Sequence, residues 1–218
     1  MNDFFPGAIA GCSQILVGHP LDTLKVLIQN NQSFRTLKWH EFYRGFKYPL
    51  ISSILFNSAV FTIYEKTLTY TNSDFFSGAM SGFCVSPFLF LFDIGKIKRQ
   101  INKPFVFQDL YKTKGLGMTF SRETTAMSIY FGVYNYCVRE WNISPFFAGG
   151  MSGLANWTVT YPLDVIRTRQ MARNCSLRTA YLLPGSLWNG YTVCAIRAVL
   201  VNATVFSVYE KVKKIELE

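Results

Sequence analysis

The sequence predicts an all-α membrane protein: six transmembrane helices in three repeats, with three short surface helices on one basic side. Two observations carry this. The first is a phrase repeated at a fixed interval of 71 residues: His19-Pro-Leu-Asp22-Thr-Leu-Lys25, Phe90-Leu-Phe-Asp93-Ile-Gly-Lys96 and Tyr161-Pro-Leu-Asp164-Val-Ile-Arg167. The glycine pairs Gly7/Gly11, Gly78/Gly82 and Gly149/Gly153 keep the same interval. A register this strict means three copies of one structural unit, here residues 1–71, 72–142 and 143–218 of one integral membrane domain. The second is six apolar stretches, near 4–17, 49–64, 75–92, 118–138, 146–161 and 191–208, each close to the ~20 residues that cross hydrocarbon.

Two spans per repeat make each unit a helical hairpin. In the odd spans, glycines four residues apart suit close helix contact in lipid, where small residues let backbones approach. A soluble helical bundle is disfavoured, because six closely spaced apolar stretches leave little polar surface and 20 Phe are hard to bury in so short a chain. The connections after the first, third and fifth spans hold 15 of the 22 Lys and Arg. By the positive-inside rule they share one side of the membrane, and both termini lie on the other.

Between the spans of each repeat, Ser33–Arg44, Pro104–Lys114 and Ser176–Trp188 mix aromatic and basic residues, as short amphipathic surface helices do. Each segment runs into a glycine, Gly45, Gly115 or Gly190, expected in a left-handed conformation. Pro20 and Pro162 stand two residues before the acidic residue and should kink their helices. Leu91 replaces this proline in the second repeat, and Pro87 moves the bend.

The net charge of +9 raises nucleic acid as a partner, but the charge sits in loops flanking spans, where anionic lipid is the ordinary partner. No nucleic-acid binding is expected. Five cysteines without Cys-x-x-Cys spacing and two histidines indicate neither a zinc site nor a disulfide framework, and neither metal nor cofactor is expected. Met1 to Phe5 lead directly into the first span, so no cleavable presequence is expected.

The triplicate Pro-x-Asp-x-x-Lys/Arg, the upstream Gly-x-x-x-Gly, the aromatic-basic-Gly turn and the Tyr-Glu ending even spans together resemble the mitochondrial carrier family. The resemblance covers nearly the whole chain. It implies a six-helix pseudo-threefold barrel around a central cavity in the mitochondrial inner membrane, moving one small solute at a time by alternating access. It also implies surface helices on the matrix side and both termini in the intermembrane space. A monomer is expected, with membrane lipid, cardiolipin included, at the basic side. The chain is short for the family, with the missing length in the basic-side loops.

Charges at span ends face a cavity or each other. The family implies the pairs Asp22–Lys96, Asp93–Arg167 and Asp164–Lys25 as a matrix-side gate. Gln29 and Gln100 stand where the family braces these pairs, and Met171 stands where a third brace is missing. The opposite, cytoplasmic-side ring should follow aromatic-acidic-x-x-basic at the ends of even spans. The third repeat fits with Tyr209, Glu210 and Lys213; the first keeps Tyr64 and Glu65 but has Leu68, and the second keeps Tyr134 but has Asn135 and Val138. With one ring complete and the other degraded, the unliganded protein is expected to favour the Asp/Lys ring closed and the termini side open.

Solute selectivity has to come from polar residues that differ between repeats. Twelve residues before the aligned Tyr64, Tyr134 and Tyr209 stand Ser52, Arg122 and Arg197, followed by Ser53, Glu123 and Ala198. Arg clamps a carboxylate and Glu accepts an ammonium, so two Arg and one Glu suit a solute carrying both groups. Internal bridging of Glu123 to Arg122 or Arg197 is the structural alternative. On the odd spans Gln14, Asn156 and Trp157 can face the cavity, while His19 is expected to pack or bond locally. The text around Asp22, Arg122-Glu123 and Arg197 resembles the branch moving carnitine, ornithine and other basic amino acids. A nucleotide or other anion carrier and a degenerate carrier kept as a scaffold are the competing readings. No nucleophile or phosphate-binding constellation suggests an enzyme.

Overall fold

The computed structural model describes residues 4–33, 37–104, 106, 108–198, 200, 201 and 204, and over these the chain is helical without a strand. Five long helices, α1 (Phe4–Gln29), α2 (Lys47–Thr71), α3 (Asp74–Gln100), α5 (Leu116–Arg139) and α6 (Pro145–Arg173), are joined by shorter pieces. These are a 3-10 turn (Trp39–Tyr43), α4 (Asp109–Lys112) and α7 (Leu177–Leu182), one in each of the three basic segments. A further helical stretch covers 191–198.

Every long helix stops at an asparagine. Asn31, Asn72, Asn102, Asn142 and Asn174 all have φ between 49° and 60°, a left-handed conformation that Asn tolerates better than other residues with a side chain. Gly45, Gly115 and Gly190 take positive φ just ahead of the next helix, as expected. The chain therefore turns sharply at both kinds of junction. The prolines Pro20, Pro87 and Pro162 lie inside α1, α3 and α6, which continue through them.

The distribution of polarity is inverted relative to a water-soluble bundle. Among the largest fully buried side chains are Arg169, His19, Gln29, Gln100 and Glu123, whereas Phe61, Phe83, Phe88, Leu154 and Val159 are more than half exposed. An exterior of Phe, Leu and Val around a polar interior is stable where the surroundings are apolar. Among the described residues one helix, α3, is by itself long and apolar enough to cross a membrane. The other long helices spend more of their surface on polar inward positions, Asp164 and Arg167 of α6 among them.

Packing differs between repeats. In α3, Gly78 and Gly82 bring the helix against the backbone of α5: a β-carbon at Gly78 would strike the Met127 carbonyl, and one at Gly82 would strike that of Glu123. Val26 of α1, Phe90, Ile94 and Ile97 of α3, Ile101, and Met171 and Ala172 of α6 form an apolar cluster joining the three odd helices. Met171, fully buried there, fills with carbon the place where a bracing glutamine is absent.

At the basic end, several cations close helix ends. Arg169 donates to the carbonyls of Gln29 (3.0 Å), Leu183 (3.2 Å) and Gly185 (3.0 Å), tying α1 to α7. Arg173 donates to the Asn30 carbonyl at 2.8 Å and Lys103 to the Ala172 carbonyl at 3.1 Å, where a helix C-terminus favours positive charge. In the 3-10 turn the Lys38 amide donates to Glu41 at 2.8 Å, which with nearby Arg44 holds that carboxyl below its ordinary pKa.

Replacing Gly82 with Ala should destabilise the protein by about 1–3 kcal/mol through overpacking against a backbone that cannot yield. Gly117, in α5 with open space around it, should gain up to about 1 kcal/mol on the same replacement. Thermal unfolding in detergent measures both, and equal effects would contradict this packing.

Candidate functional site

A cavity of about 330 Å³ lies where α1, α3 and α6 meet α2, α5 and the stretch 191–198, lined by nine charged side chains: Asp22, Lys25, Asp93, Lys96, Arg122, Glu123, Asp164, Arg167 and Arg197. The repeated Asp and Lys/Arg lie three residues apart on one helix face, and each pairs with a neighbouring repeat. Lys25 Nζ is 2.7 Å from Asp164 Oδ2, Lys96 Nζ is 2.9 Å from Asp22 Oδ2, and Arg167 is bonded to Asp93.

The residues expected to meet solute are wired into this ring. Arg197 Nε lies 2.5 Å from Asp22 Oδ1, and Arg122 Nε lies 3.8 Å from Asp164 Oδ1. Neither Nε–H makes a hydrogen bond among the described residues, Arg122 because of its distance and Arg197 because of its geometry, so these contacts are ionic only. Arg122 Nη1 bonds Glu123 Oε1 at 2.6 Å, and the same oxygen accepts Arg167 Nη1 at 2.7 Å. The Arg122–Glu123 bridge weighed as an alternative is thus present. Glu123 shares Arg167 with Asp93, a link that one-dimensional spacing could not reveal. Its other oxygen, Oε2, is buried without a hydrogen-bond partner among the described residues.

Trp157 stands beside the ring with Lys25 Nζ 4.3 Å from its centroid and Arg122 Cζ 5.1 Å away. Both distances are within cation–π range. Asn156 instead accepts from Thr160 one turn along its own helix at 3.2 Å and does not line the cavity. Gln29 donates to Asp164 Oδ2 at 3.1 Å, a bracing contact. Gln100 donates to the hydroxyl of Thr23 at 3.1 Å and not to either member of the neighbouring pair. His19 donates through Nε2 to the Arg44 carbonyl at 3.0 Å and packs edge-on against Phe46, a local bonding role.

Phe56, Leu89, Met127 and Cys194 complete the wall. Phe56 and Met127 stand four residues after Ser52 and Glu123, one turn along the same face, a signal that a search for polar residues passes over. Gly18 matters here because a β-carbon would come within 3.2 Å of the Arg197 guanidinium.

At the far end, Tyr64 is buried, Tyr134 half-buried and stacked on Tyr130, and Glu65 exposed. The side chains of Gln14 and Ser53, and residues Tyr209, Glu210 and Lys213, lie outside those described.

A closed ring of ion pairs around a charged, apolar-rimmed cavity, with an apolar exterior, has the layout of a solute transporter. Residues 139–182 match the sequence profile of the family described as mitochondrial carrier protein. The chain is 26% identical to human solute carrier family 25 member 45 over 281 aligned positions, covering 96% of this chain and 97% of that one. It is 29% identical to the mitochondrial basic amino acids transporter of Bos taurus, over 78% of this chain and 72% of the relative. It is 27% identical to the mitochondrial arginine transporter of Arabidopsis thaliana, over 96% and 89%. The chain is thus similar, over most of its length, to mitochondrial carrier proteins, among them relatives named as transporters.

Asp164→Asn should cost about 3–5 kcal/mol, since it takes from Lys25 the carboxylate it pairs with, while Arg122 keeps Glu123. Asp93→Asn should cost less, because Arg167 keeps Glu123. Thermal unfolding in detergent reads the difference, and the reverse order would contradict the shared-cation arrangement.

Proposed function

We propose that this protein moves a small solute bearing both a carboxylate and a cationic group, a basic amino acid or carnitine-like zwitterion, by alternating access. The observation that carries the reading is the pattern of unfilled bonding in the cavity. Among the described residues Arg122 Nε is a buried donor without a hydrogen-bond acceptor and Glu123 Oε2 a buried acceptor without a donor, while Arg197 Nε meets Asp22 as an ion pair without hydrogen-bond geometry. A solute carboxylate gives the two arginines an aligned acceptor; an ammonium or guanidinium supplies what Glu123 lacks. Five cations against four anions also leave one positive charge in excess, which a carboxylate neutralises. Relatives named for basic amino acids and for arginine support the same class.

In this reading the chain is a six-span, pseudo-threefold barrel of repeats 1–71, 72–142 and 143–218, working as a monomer. Exposed Trp39, Tyr181 and Trp188 at one end and Tyr70, Tyr136 and Trp141 at the other suit the two membrane–water interfaces. The basic end faces the matrix, where anionic lipid including cardiolipin meets its cations, and both termini face the intermembrane space. Asp22, Lys25, Asp93, Lys96, Asp164 and Arg167 are the matrix gate, with Gln29 as a brace. Tyr64, Glu65, Tyr134, Tyr209, Glu210 and Lys213 mark the degraded cytoplasmic ring.

Arg122, Glu123, Arg197 and Trp157 receive the solute, and Gln14, Ser53 and Asn156 remain candidates at its margin. Binding and gating are one event, because the arginines that take the carboxylate are those leaning on Asp164 and Asp22. A solute shifts the equilibrium by weakening contacts that exist only in the closed ring.

Uptake into liposomes preloaded with basic amino acids, carnitine or nucleotides tests the proposal. Labelled arginine or a zwitterion of its class should enter, while its methyl ester should not compete. Arg122→Ala and Glu123→Ala should each lower uptake at least tenfold in protein that still unfolds cooperatively. Undiminished uptake in both variants would sink the assignment.

A further inference from the structure

Resting on that transport reading, we infer that Tyr161 is a positioning residue: its hydroxyl fixes the start of the stretch 191–198 and thereby holds Arg197 in place for the solute carboxylate. Tyr161 is fully buried, and its hydroxyl donates to the Asn189 carbonyl at 3.0 Å. The same oxygen accepts from the Gln29 amide, 3.4 Å away, which also reaches Asp164 Oδ2 at 3.1 Å. One phenol therefore touches both the junction that begins the stretch and a brace of the ion-pair ring.

The repeats show what the contact controls. The turn glycines Gly45, Gly115 and Gly190 each stand seven residues before the aligned Ser52, Arg122 and Arg197. Seven residues are two helical turns, about 10 Å of rise, so each glycine sets the depth and facing of the residue it precedes. In the third repeat Tyr161 bonds the carbonyl immediately before that glycine, with its ring stacked on Trp188 and edge-on to Tyr191. Two repeat intervals earlier stands His19, which donates to the Arg44 carbonyl before Gly45 at 3.0 Å and is likewise stacked on Tyr43 and edge-on to Phe46. Two unlike side chains thus make the same clasp. The second repeat has Phe90 at this position, which carries no donor and lies in the apolar cluster of the odd helices.

The two site arginines are held by different means. Arg122, without a clasp of this kind in its own repeat, donates to the adjacent Glu123 at 2.6 Å. Arg197 is followed by Ala198, and its ion pair with Asp22 lacks hydrogen-bond geometry. Its position comes from its own helix, and that helix is fastened at Asn189. A guanidinium already in place spares the ordering cost of binding. Gly190 belongs to the same device, since a β-carbon there would come within 3.0 Å of the Tyr161 hydroxyl. Cys194, one turn after Gly190, packs with Tyr161 and Val165 and is 3% exposed, so its reactivity reports whether the stretch is seated.

Tyr161→Phe removes the donor and keeps the ring. In proteoliposomes the arginine concentration that half-saturates uptake should rise about fivefold or more, the worth of one buried hydrogen bond, with the maximal rate within about twofold. Maleimide labelling in detergent, resolved by peptide mass spectrometry, should accelerate by a similar factor at Cys194 but not at Cys137, which is also buried and lies in the second repeat. General loosening would expose both cysteines alike. Gly190→Ala, which crowds the same hydroxyl from the junction side, should move both readouts in the same direction. Unchanged half-saturation, equal acceleration at Cys137, or a fall in maximal rate alone would each overturn the inference. Absence of arginine uptake by the natural chain would instead remove the transport reading, and the contrast between the two cysteines would still decide whether Tyr161 seats the stretch.

Discussion

Charge taken out of water has to be matched, and nine ionisable side chains in one interior set the terms for the rest of this molecule. Each unmatched ion would cost several kcal/mol, comparable with the whole stability of an ordinary domain. The odd helices therefore have to present Asp and Lys/Arg at a common depth, which fixes their relative heights. The strict spacing of 71 residues reflects this, because a slip of one residue would turn a charge by about 100° away from its partner. Apolar contacts follow from the ring: Val26, Ile94, Ile97 and Met171 fill the space around it.

The helix ends serve the same constraint. Five asparagines in left-handed conformation and three glycines with positive φ stop and restart the chain within a few residues. Short junctions leave the helices little freedom to slide along one another. Cations at the basic end tie the helices together, since Arg169 and Arg173 hold the carbonyls of Gln29 and Asn30 across the boundary between the first and third repeats, where no peptide connects them.

Much of this was legible before any coordinates. The short basic segments and the glycine turns follow from repetition, which converts one weak motif into three mutually supporting ones, and the partners within the ring are those the resemblance implies. What repetition conceals is difference. Asn156 stands two turns before Asp164 and so can face the cavity, yet its amide oxygen accepts from Thr160 instead. Gln100 aligns with Gln29 and yet bonds the Thr23 hydroxyl. Asp74 and Arg139, 2.9 Å apart, are brought together only where the start of α3 meets the end of α5, a pairing that sequence spacing does not state. Asparagine at helix ends is a sequence signal that apolar patterning alone does not weigh.

The shared arginine gives the ring a handedness in time. Asp22 and Asp164 each touch two cations, while Asp93 has Arg167, which it divides with Glu123. A ligand cation that occupied Glu123 would release Arg167 wholly to Asp93 and tighten that corner. A ligand anion drawing Arg122 and Arg197 inward would at the same moment loosen the corners at Asp164 and Asp22. In the transport reading proposed above, the Asp93 corner would then be the last of the three to let go.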